Sequence, residues 1–270
     1  MLGKLLKYDF KALARLLLPL YGGLLALGLI TGFMLPVTDS SDNVLIAIAV
    51  TVLVILLVVL TVASFVLTLI MMIKRFHKSL LADEGYLSHS LPVTTEEHLL
   101  SKTISSFVFY LVATLCAGMT YVILIVTVFA RSEGLPSWDQ VGDLWNEVMK
   151  HITAEGWVLF WLFILLMLIQ IIGKCLKIFT AMLIGHMAND HKIFFSFLSW
   201  IGLTAVESII TRVLTFTQLK STSIYMTTLS EDIVGVSTPL VIGSIIMYVA
   251  FIAVYFVLSD LIMKKKLNLA

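Results

Sequence analysis

The sequence predicts an all-α membrane protein with six transmembrane helices. Hydrophobic residues make up 60% of the 270 positions and charged residues only 13%, which excludes a water-soluble fold. The mean hydropathy is +1.04, and several apolar runs exceed the roughly 18 residues typical of a membrane-crossing helix. Basic residues also concentrate in alternate segments between these runs, as they do in multi-pass membrane proteins.

Residues 1–15 precede the first span and have the two-faced pattern of an amphipathic helix. We predict that this elbow helix lies along the inner membrane interface, with Phe10 and Leu13 in the headgroup region and its cations against anionic lipid. Asp9 projects from the apolar face, where it either bonds a neighbouring loop or lysine or contacts a cytoplasmic partner. The basic face carries Lys4, Lys7, Lys11 and Arg15.

The rest of the chain, 16–270, forms the predicted six-helix transmembrane domain. Each span reaches the roughly 20 residues that cross about 30 Å of hydrocarbon, and an even number of spans places both termini on one side. The spans cover residues 16–35, 44–73, 103–130, 157–177, 193–214 and 239–263.

Lysine and arginine decide which side holds the termini, because basic loops resist translocation and stay in the cytoplasm. Fourteen of the 18 basic residues fall on the side of the termini, and nine acidic residues fall on the other. The sequence therefore predicts cytoplasmic amino and carboxyl termini. A net charge of +1 argues against nucleic acid as a partner.

The longest predicted cytoplasmic loop covers residues 74–102. Gly85 and Pro92 interrupt any continuous helix, and Thr94 with Glu97 forms a capping box that begins the helix of the third span. A short structured piece over residues 80–91 either transmits a push from a soluble motor to the spans or serves as a plain connection. Its side chains available to a partner are those of Asp83, Glu84, Tyr86 and His89.

Two further segments lie outside the membrane in this topology. Ser137 with Gln140 begins an amphipathic helix over 137–153, which is expected to rest on the outer leaflet or to cover a cavity. The polar segment 215–238 either stays outside or dips back into the membrane. Pro239 is expected to begin the sixth span, where its fixed backbone angle is favourable.

Glu207 is the acidic residue deepest inside an apolar run, and a charge there normally has a partner or a cavity. If the fourth and fifth spans form a tight hairpin, Lys174 lies at the depth of Glu207, so we hypothesise an ion pair between them. In the alternative, Lys174 and Lys177 extend to the inner interface and Glu207 faces a polar cavity. Asp260 and Lys264, four residues apart, are expected to pair at the inner end of the sixth span.

Motifs for catalysis are missing from the sequence. The chain contains no G-x-x-x-x-G-K-[ST] run for phosphate binding, no H-E-x-x-H and no G-x-S-x-G, and its six histidines have no metal-ligand spacing. We therefore expect no enzymatic activity and neither a cofactor nor a metal in this chain.

The opening MLGKLLKYDFKALARLLLPLY and the loop DEGYLSHSLPVTTEEHLLSK, with the order of six spans, resemble permease subunits of bacterial exporter-type ATP-binding cassette transporters, particularly those of Firmicutes. The resemblance implies the exporter-type permease fold in the plasma membrane, with a coupling helix between spans two and three. It also implies partner ATPase subunits that bind ATP and magnesium, a second permease, identical or homologous, and export of an amphiphile such as an antimicrobial peptide, lipid or drug. The implied ATPase-coupling residues are Asp83, Glu84, Gly85, Tyr86 and His89.

Two other classes of function fit the sequence. One is an ion- or proton-coupled secondary transporter, in which Glu207 titrates and Lys174 is its counter-ion. The other is a membrane immunity or scaffold protein that binds a toxin without transporting it.

Overall fold

The computed structural model describes residues 2–35, 44–81, 94–132, 142, 146–147, 149–150, 154–188, 191–226 and 233–265. Six long helices account for nearly all of these residues, and the described part of the chain contains no strand. The helices are α1 (Leu2–Met34), α2 (Val44–Phe76), α3 (Thr95–Ser132), α4 (Ala154–Gly185), α5 (Lys192–Met226) and α6 (Ile233–Lys265). A π-helical turn, His77–Leu81, continues α2.

Each helix contains one stretch long and apolar enough to cross a membrane, so the prediction of six spans is confirmed. The stretches are 26 to 36 residues long, with mean hydropathy from 1.8 to 3.3. A helix suits this setting because it satisfies its backbone hydrogen bonds internally, without water. The six stretches are Leu5–Met34, Val44–Ser79, Thr95–Thr127, Gly156–Gly185, Lys192–Thr217 and Thr238–Lys264.

The helices extend beyond the predicted spans. The predicted boundary between residues 1–15 and the first span is not a break, because α1 runs from Leu2 through Pro19. Much of the polar segment 215–238 is also helical, since α5 continues to Met226, and Pro239 lies inside α6 rather than at its start. Hydropathy marks where a chain leaves hydrocarbon, whereas helical hydrogen bonding continues through polar residues.

By its contacts the chain forms two compact units. The first comprises Met1–Lys74 with Ile104–Met149, and the second comprises Arg75–Thr103 with Lys150–Ala270. In the first unit one face of α1 packs on α3, and the buried cluster consists of Leu13, Leu17, Tyr21, Phe109 and Ala113. The spacing of four residues along α1 places its three members on one side of the helix.

This packing corrects the predicted elbow. Phe10 packs against Phe109 with ring centroids 5.5 Å apart, and Leu13 is 1% exposed, so both contact protein rather than lipid headgroups. Asp9 is buried as well, on the same side of α1. Lys7, Lys11 and Arg15 are exposed on the other side, as the two-faced pattern predicts. The side chain of Lys4 lies outside the described part of the molecule, and the interfacial position of the elbow stays a prediction.

In the second unit α4 packs mainly against α6 and next against α5. Its buried face carries Cys175, Leu176, Phe179 and Leu183, which again recur at helical spacing. The predicted outer helix lies largely outside the described residues, although the described positions at 142, 146, 147, 149 and 150 are helical. The predicted coupling residues Asp83, Glu84, Gly85, Tyr86 and His89 also lie outside them.

Candidate functional site

Three helices of the second unit each contribute one polar side chain to a cluster inside the membrane-crossing stretches. Glu207 of α5 accepts two hydrogen bonds at its Oε2 atom. Lys177 of α4 donates from Nζ at 2.8 Å, and Tyr255 of α6 donates from its hydroxyl at 3.0 Å. We call these three residues the intramembrane triad. Glu207 is about 22 Å along α5 from Lys192, at 1.5 Å per residue, and therefore lies deep in the apolar stretch.

The triad is an ion pair with an additional neutral donor. The side chains of Lys177 and Glu207 are only 10% and 16% exposed, so both charges are largely removed from solvent. An isolated charge at this depth costs at least about 2.5–3.5 kcal/mol, whereas the pair is neutral and its carboxylate receives a second hydrogen bond. The arrangement explains how α5, an otherwise apolar helix, accommodates an acid.

The hypothesised pair between Lys174 and Glu207 is wrong in its basic partner, which is Lys177. Depth along a hairpin fixes the level at which two residues meet, but not the face of the helix on which each one lies. Residues three positions apart differ by about 60° around a helix, and here Lys177 faces inward while Lys174 is exposed. The alternative, with Glu207 alone in a polar cavity, is also wrong, because Lys177 pairs with Glu207.

Buried hydroxyl groups join α4 to α6 close to the triad. The Thr180 Oγ1 atom lies 2.8 Å from Ser259 Oγ and 3.2 Å from the carbonyl oxygen of Tyr255. Thr180 and Ser259 are both fully buried. Because these hydroxyl groups satisfy one another and the backbone, they fix the register of the two helices without introducing charge.

The end of α2 is attached to α4 by two ring contacts, which we call the α2 anchor. The rings of Phe76 and Phe179 are stacked with centroids 4.3 Å apart and planes 7° apart. One residue further along, His77 meets His186, which follows the last residue of α4, at 5.1 Å and in an edge-on geometry. Phe76 and Phe179 are both buried, so the end of α2 is held firmly on α4.

The beginning of α3 is attached to the end of α6 by a polar contact, which we call the α3 anchor. Thr95 Oγ1 donates to Asp260 Oδ1 at 3.0 Å, and Lys264 Nζ lies 2.9 Å from Glu96 Oε1. Lys264 also pairs with Asp260 at 2.8 Å, which confirms the predicted helix-end pair. Just before α3, the Thr94 hydroxyl accepts from the Glu97 backbone amide at 3.3 Å, as the capping pattern predicts.

Both anchors flank the segment between α2 and α3, residues 77–94, which we call the connector. Its central residues, 82–93, carry the predicted coupling positions and lie outside the described part of the structure. The described ends of the connector belong to the second compact unit together with α4 and α6. The connector is therefore fastened at both ends to the bundle that contains the triad.

Several of these residues were not identifiable from the sequence. Tyr255 has no local signal, because an aromatic residue in an apolar run is ordinary. The contacts of Thr95 and Glu96 with α6 join residues more than 160 positions apart, which no short motif records.

Among the described residues, no group of three or more metal-ligating side chains comes together. Comparisons with known protein families, with curated proteins and with solved structures find no match to the chain.

Proposed function

We propose that this chain is the membrane-spanning permease subunit of a bacterial exporter-type ATP-binding cassette transporter. In this proposal the chain works in the plasma membrane with separate subunits that bind ATP and magnesium, and with a second permease, identical or homologous. The observation that carries the proposal is the double attachment of the connector, at α4 through the α2 anchor and at α6 through the α3 anchor.

A connector held at both ends suits the transmission of force. An ATPase that pushed on Asp83, Glu84 and Tyr86 would displace the end of α2 and the beginning of α3 together. The stacked rings of the α2 anchor would carry that displacement to α4, and the hydrogen bond and ion pair of the α3 anchor would carry it to α6. Rigid movement of packed helices is a common route to alternating access.

The proposed cargo is an amphiphile such as an antimicrobial peptide, a lipid or a hydrophobic drug. Many large apolar side chains of the membrane-crossing stretches are exposed, among them Phe194, Phe197 and Trp200 of α5. Such surfaces suit contact with lipid or with an apolar cargo better than contact with a small hydrated ion.

The α3 anchor provides the test of coupling. The combined variant Thr95→Val with Glu96→Gln removes the hydrogen bond to Asp260 and the charge that pairs with Lys264, and it leaves membrane insertion intact because the ion pair is exposed and contributes little stability. We expect cargo-stimulated ATP hydrolysis by the copurified complex to fall several-fold. Glu97→Gln is the matched control, since it alters the neighbouring carboxylate but neither contact to α6, and we expect it to keep the stimulation.

Two results would overturn the proposal. One is failure of any ATPase subunit to copurify in mild detergent when the neighbouring genes are coexpressed. The other is transport by the purified chain alone in proteoliposomes without ATP. Equal stimulation in the anchor variant and in Glu97→Gln would remove the α3 anchor from the coupling route.

The intramembrane triad favours a second candidate, a proton-coupled secondary transporter. Acidic residues inside membrane helices often carry protons in such proteins, and Glu207 has both a basic and a phenolic neighbour. In this case uptake or efflux in proteoliposomes would follow an imposed proton gradient, and Glu207→Gln would abolish it. Dependence on ATP with no response to the gradient would exclude this candidate.

A further inference from the structure

The α2 anchor consists of two ring contacts, and only the second of them joins two histidines. His77 is the first residue of the π-helical turn, and His186 is the first residue after α4, so the two imidazoles join the connector to the turn between α4 and α5. The Nδ1 atom of His186 donates to the carbonyl oxygen of Met182 at 3.1 Å. That hydrogen bond holds the ring of His186 in place against His77.

Among the residues that the structure describes, the charged or titratable groups that act on His186 are basic. His77 faces it from the π-helical turn, and Lys192 acts on it from the first residue of α5. A positive charge on His186 would therefore be opposed by the charge of Lys192, because like charges repel.

We propose that the His77–His186 contact is a pH-sensitive clamp, which holds the end of α2 on the turn between α4 and α5 while the His186 imidazole is neutral and opens when that imidazole is protonated. The opening itself is a property of the isolated chain. Its consequence, a loss of coupling between ATPase and spans at low pH, rests on the proposed function.

The direction of the pH dependence follows from the surroundings of His186. Burial lowers its pKa from the usual 6.5, the hydrogen bond to Met182 opposes this, and His77 and Lys192 add to the lowering. For a base whose pKa is lowered by folding, the folded contact is fully stable above pH 6.5. Its stability is then lost as the pH falls from 6.5 through the lowered pKa of His186.

The π-helical turn makes the end of α2 a suitable place for such a release. Five residues, His77–Leu81, adopt this rare geometry, which is commonly found at functional positions within helices. The stacked pair Phe76 and Phe179 lies immediately before it and does not titrate. Opening is therefore expected to begin at His77 and to leave Phe76 in place.

Spin labels on the purified full-length chain test the clamp directly. Lys78→Cys and Met187→Cys, both exposed positions, carry the labels after Cys116 and Cys175 are changed to alanine. In nanodiscs we expect dipolar broadening between the labels at about pH 7.5 and its loss at about pH 5.5. In the variant His186→Gln, which cannot become charged, we expect the broadening to persist at both pH values.

His191→Asn is the matched control, because His191 lies exposed in the same turn and asparagine tolerates its positive backbone angle, φ 53°. We expect this variant to respond to pH as the unchanged chain does. A spectrum that is identical at the two pH values in the unchanged chain would overturn the clamp. So would a full pH response in both His186→Gln and His77→Gln, or a loss of helicity at low pH that these variants share.

The labels report on the clamp without any ATPase, which separates this proposal from the proposed function. A pH-dependent separation in a chain that recruits no ATPase would support the clamp and overturn the transporter assignment. Stimulated ATP hydrolysis that falls at low pH in the complex, and is retained in His186→Gln, would support both.

Discussion

The two compact units differ in how they satisfy polar groups among apolar helices. In the first unit the Tyr21 hydroxyl lies 2.8 Å from Thr68 Oγ1 and 3.2 Å from the carbonyl oxygen of Phe109, so the network is neutral. In the second unit the network contains two opposite charges, Lys177 and Glu207. The first arrangement adds hydrogen bonds to a packed interface, whereas the second places groups in the membrane that are costly unless they remain together.

This difference indicates separate roles for the two interiors. A neutral hydroxyl that loses its partner often has a backbone carbonyl within reach, as Thr68 has in Ser64 at 2.6 Å. A buried charge has no equivalent substitute. Around Tyr21, neutral contacts therefore join α1 to α3, and the ion pair of the second unit adds a dependence on charge that this hydroxyl network does not have.

The largest expected effect comes from breaking the ion pair on one side. Lys177→Met leaves the Glu207 carboxylate without its cation, and Glu207→Met leaves the ammonium group without its anion. Each change is expected to lower the free energy of unfolding by about 3–5 kcal/mol, as for other buried pairs. The double variant is expected to recover to within about 1 kcal/mol of the unchanged chain, because it leaves only the Tyr255 hydroxyl without its acceptor.

Unfolding in mixed micelles of increasing SDS content measures these differences. Lys174→Met is the matched control: it lies three residues from Lys177, and its side chain is exposed. We expect almost no change in stability for it. If Lys174→Met were as damaging as Lys177→Met, or if the double variant were as unstable as the single ones, the pairing would be incorrect.

The ion pair also shows how much of the candidate site can be predicted from the sequence. An acid in an apolar run and two lysines at similar depth were enough to put forward an ion pair as one of two alternatives. They did not identify Lys177, because depth follows from counting residues whereas the facing side depends on how α4 packs against its neighbours. Tyr255 was missed for the same reason, since its role arises only where α6 meets α5.

The six spans were predictable because hydropathy is a property of each segment by itself. The ends of the helices were less predictable, because α1 and α5 continue through polar residues that no apolar run includes. The packing of Phe10 and Leu13 on α3 was not predictable, since lipid and protein are both apolar surroundings and the pattern of residues 1–15 is compatible with either.

Substitution of glycines at close helix contacts is expected to have the next largest effect on the free energy of unfolding. These positions extend the comparison of the two units to close helix packing. In the first unit a Cβ atom on Gly28 would lie 2.5 Å from Thr120 Cγ2, and one on Gly32 would meet the Thr127 hydroxyl. In the second unit a Cβ atom on Gly185 would meet the backbone of Ser196. A side chain can turn away, although Thr120 would then lose its hydrogen bond to the Cys116 carbonyl, whereas backbone atoms cannot.

We therefore expect Gly28→Ala to cost about 1–3 kcal/mol, as other overpacked interiors do, and Gly185→Ala to cost at least as much. Gly22→Ala and Gly202→Ala are the controls in the two units, because a Cβ atom at either position meets nothing within 4 Å. Both controls are expected to be neutral or to stabilise by about 0.5–1 kcal/mol, since alanine favours the helix over glycine. Equal losses at Gly28 and Gly22 would contradict the close approach of α1 and α3.

The smallest expected effect belongs to one of two tyrosines that differ mainly in the charge of their partner. Tyr21→Phe removes a neutral hydrogen bond and is expected to cost about 1 kcal/mol, because Thr68 and the Phe109 carbonyl both keep other contacts. Tyr255→Phe removes a donor from a carboxylate and is expected to cost about 1.5–3 kcal/mol. Tyr121→Phe, at an exposed position of α3, is the control and is expected to have no effect. The same SDS unfolding measurement decides the ranking, and it does so without altering charge or helix packing. Equal costs at Tyr21 and Tyr255 would mean that the ionised carboxylate gains no more from its phenolic donor than a neutral hydroxyl does, and the distinction between the two interiors would then rest on Lys177 alone.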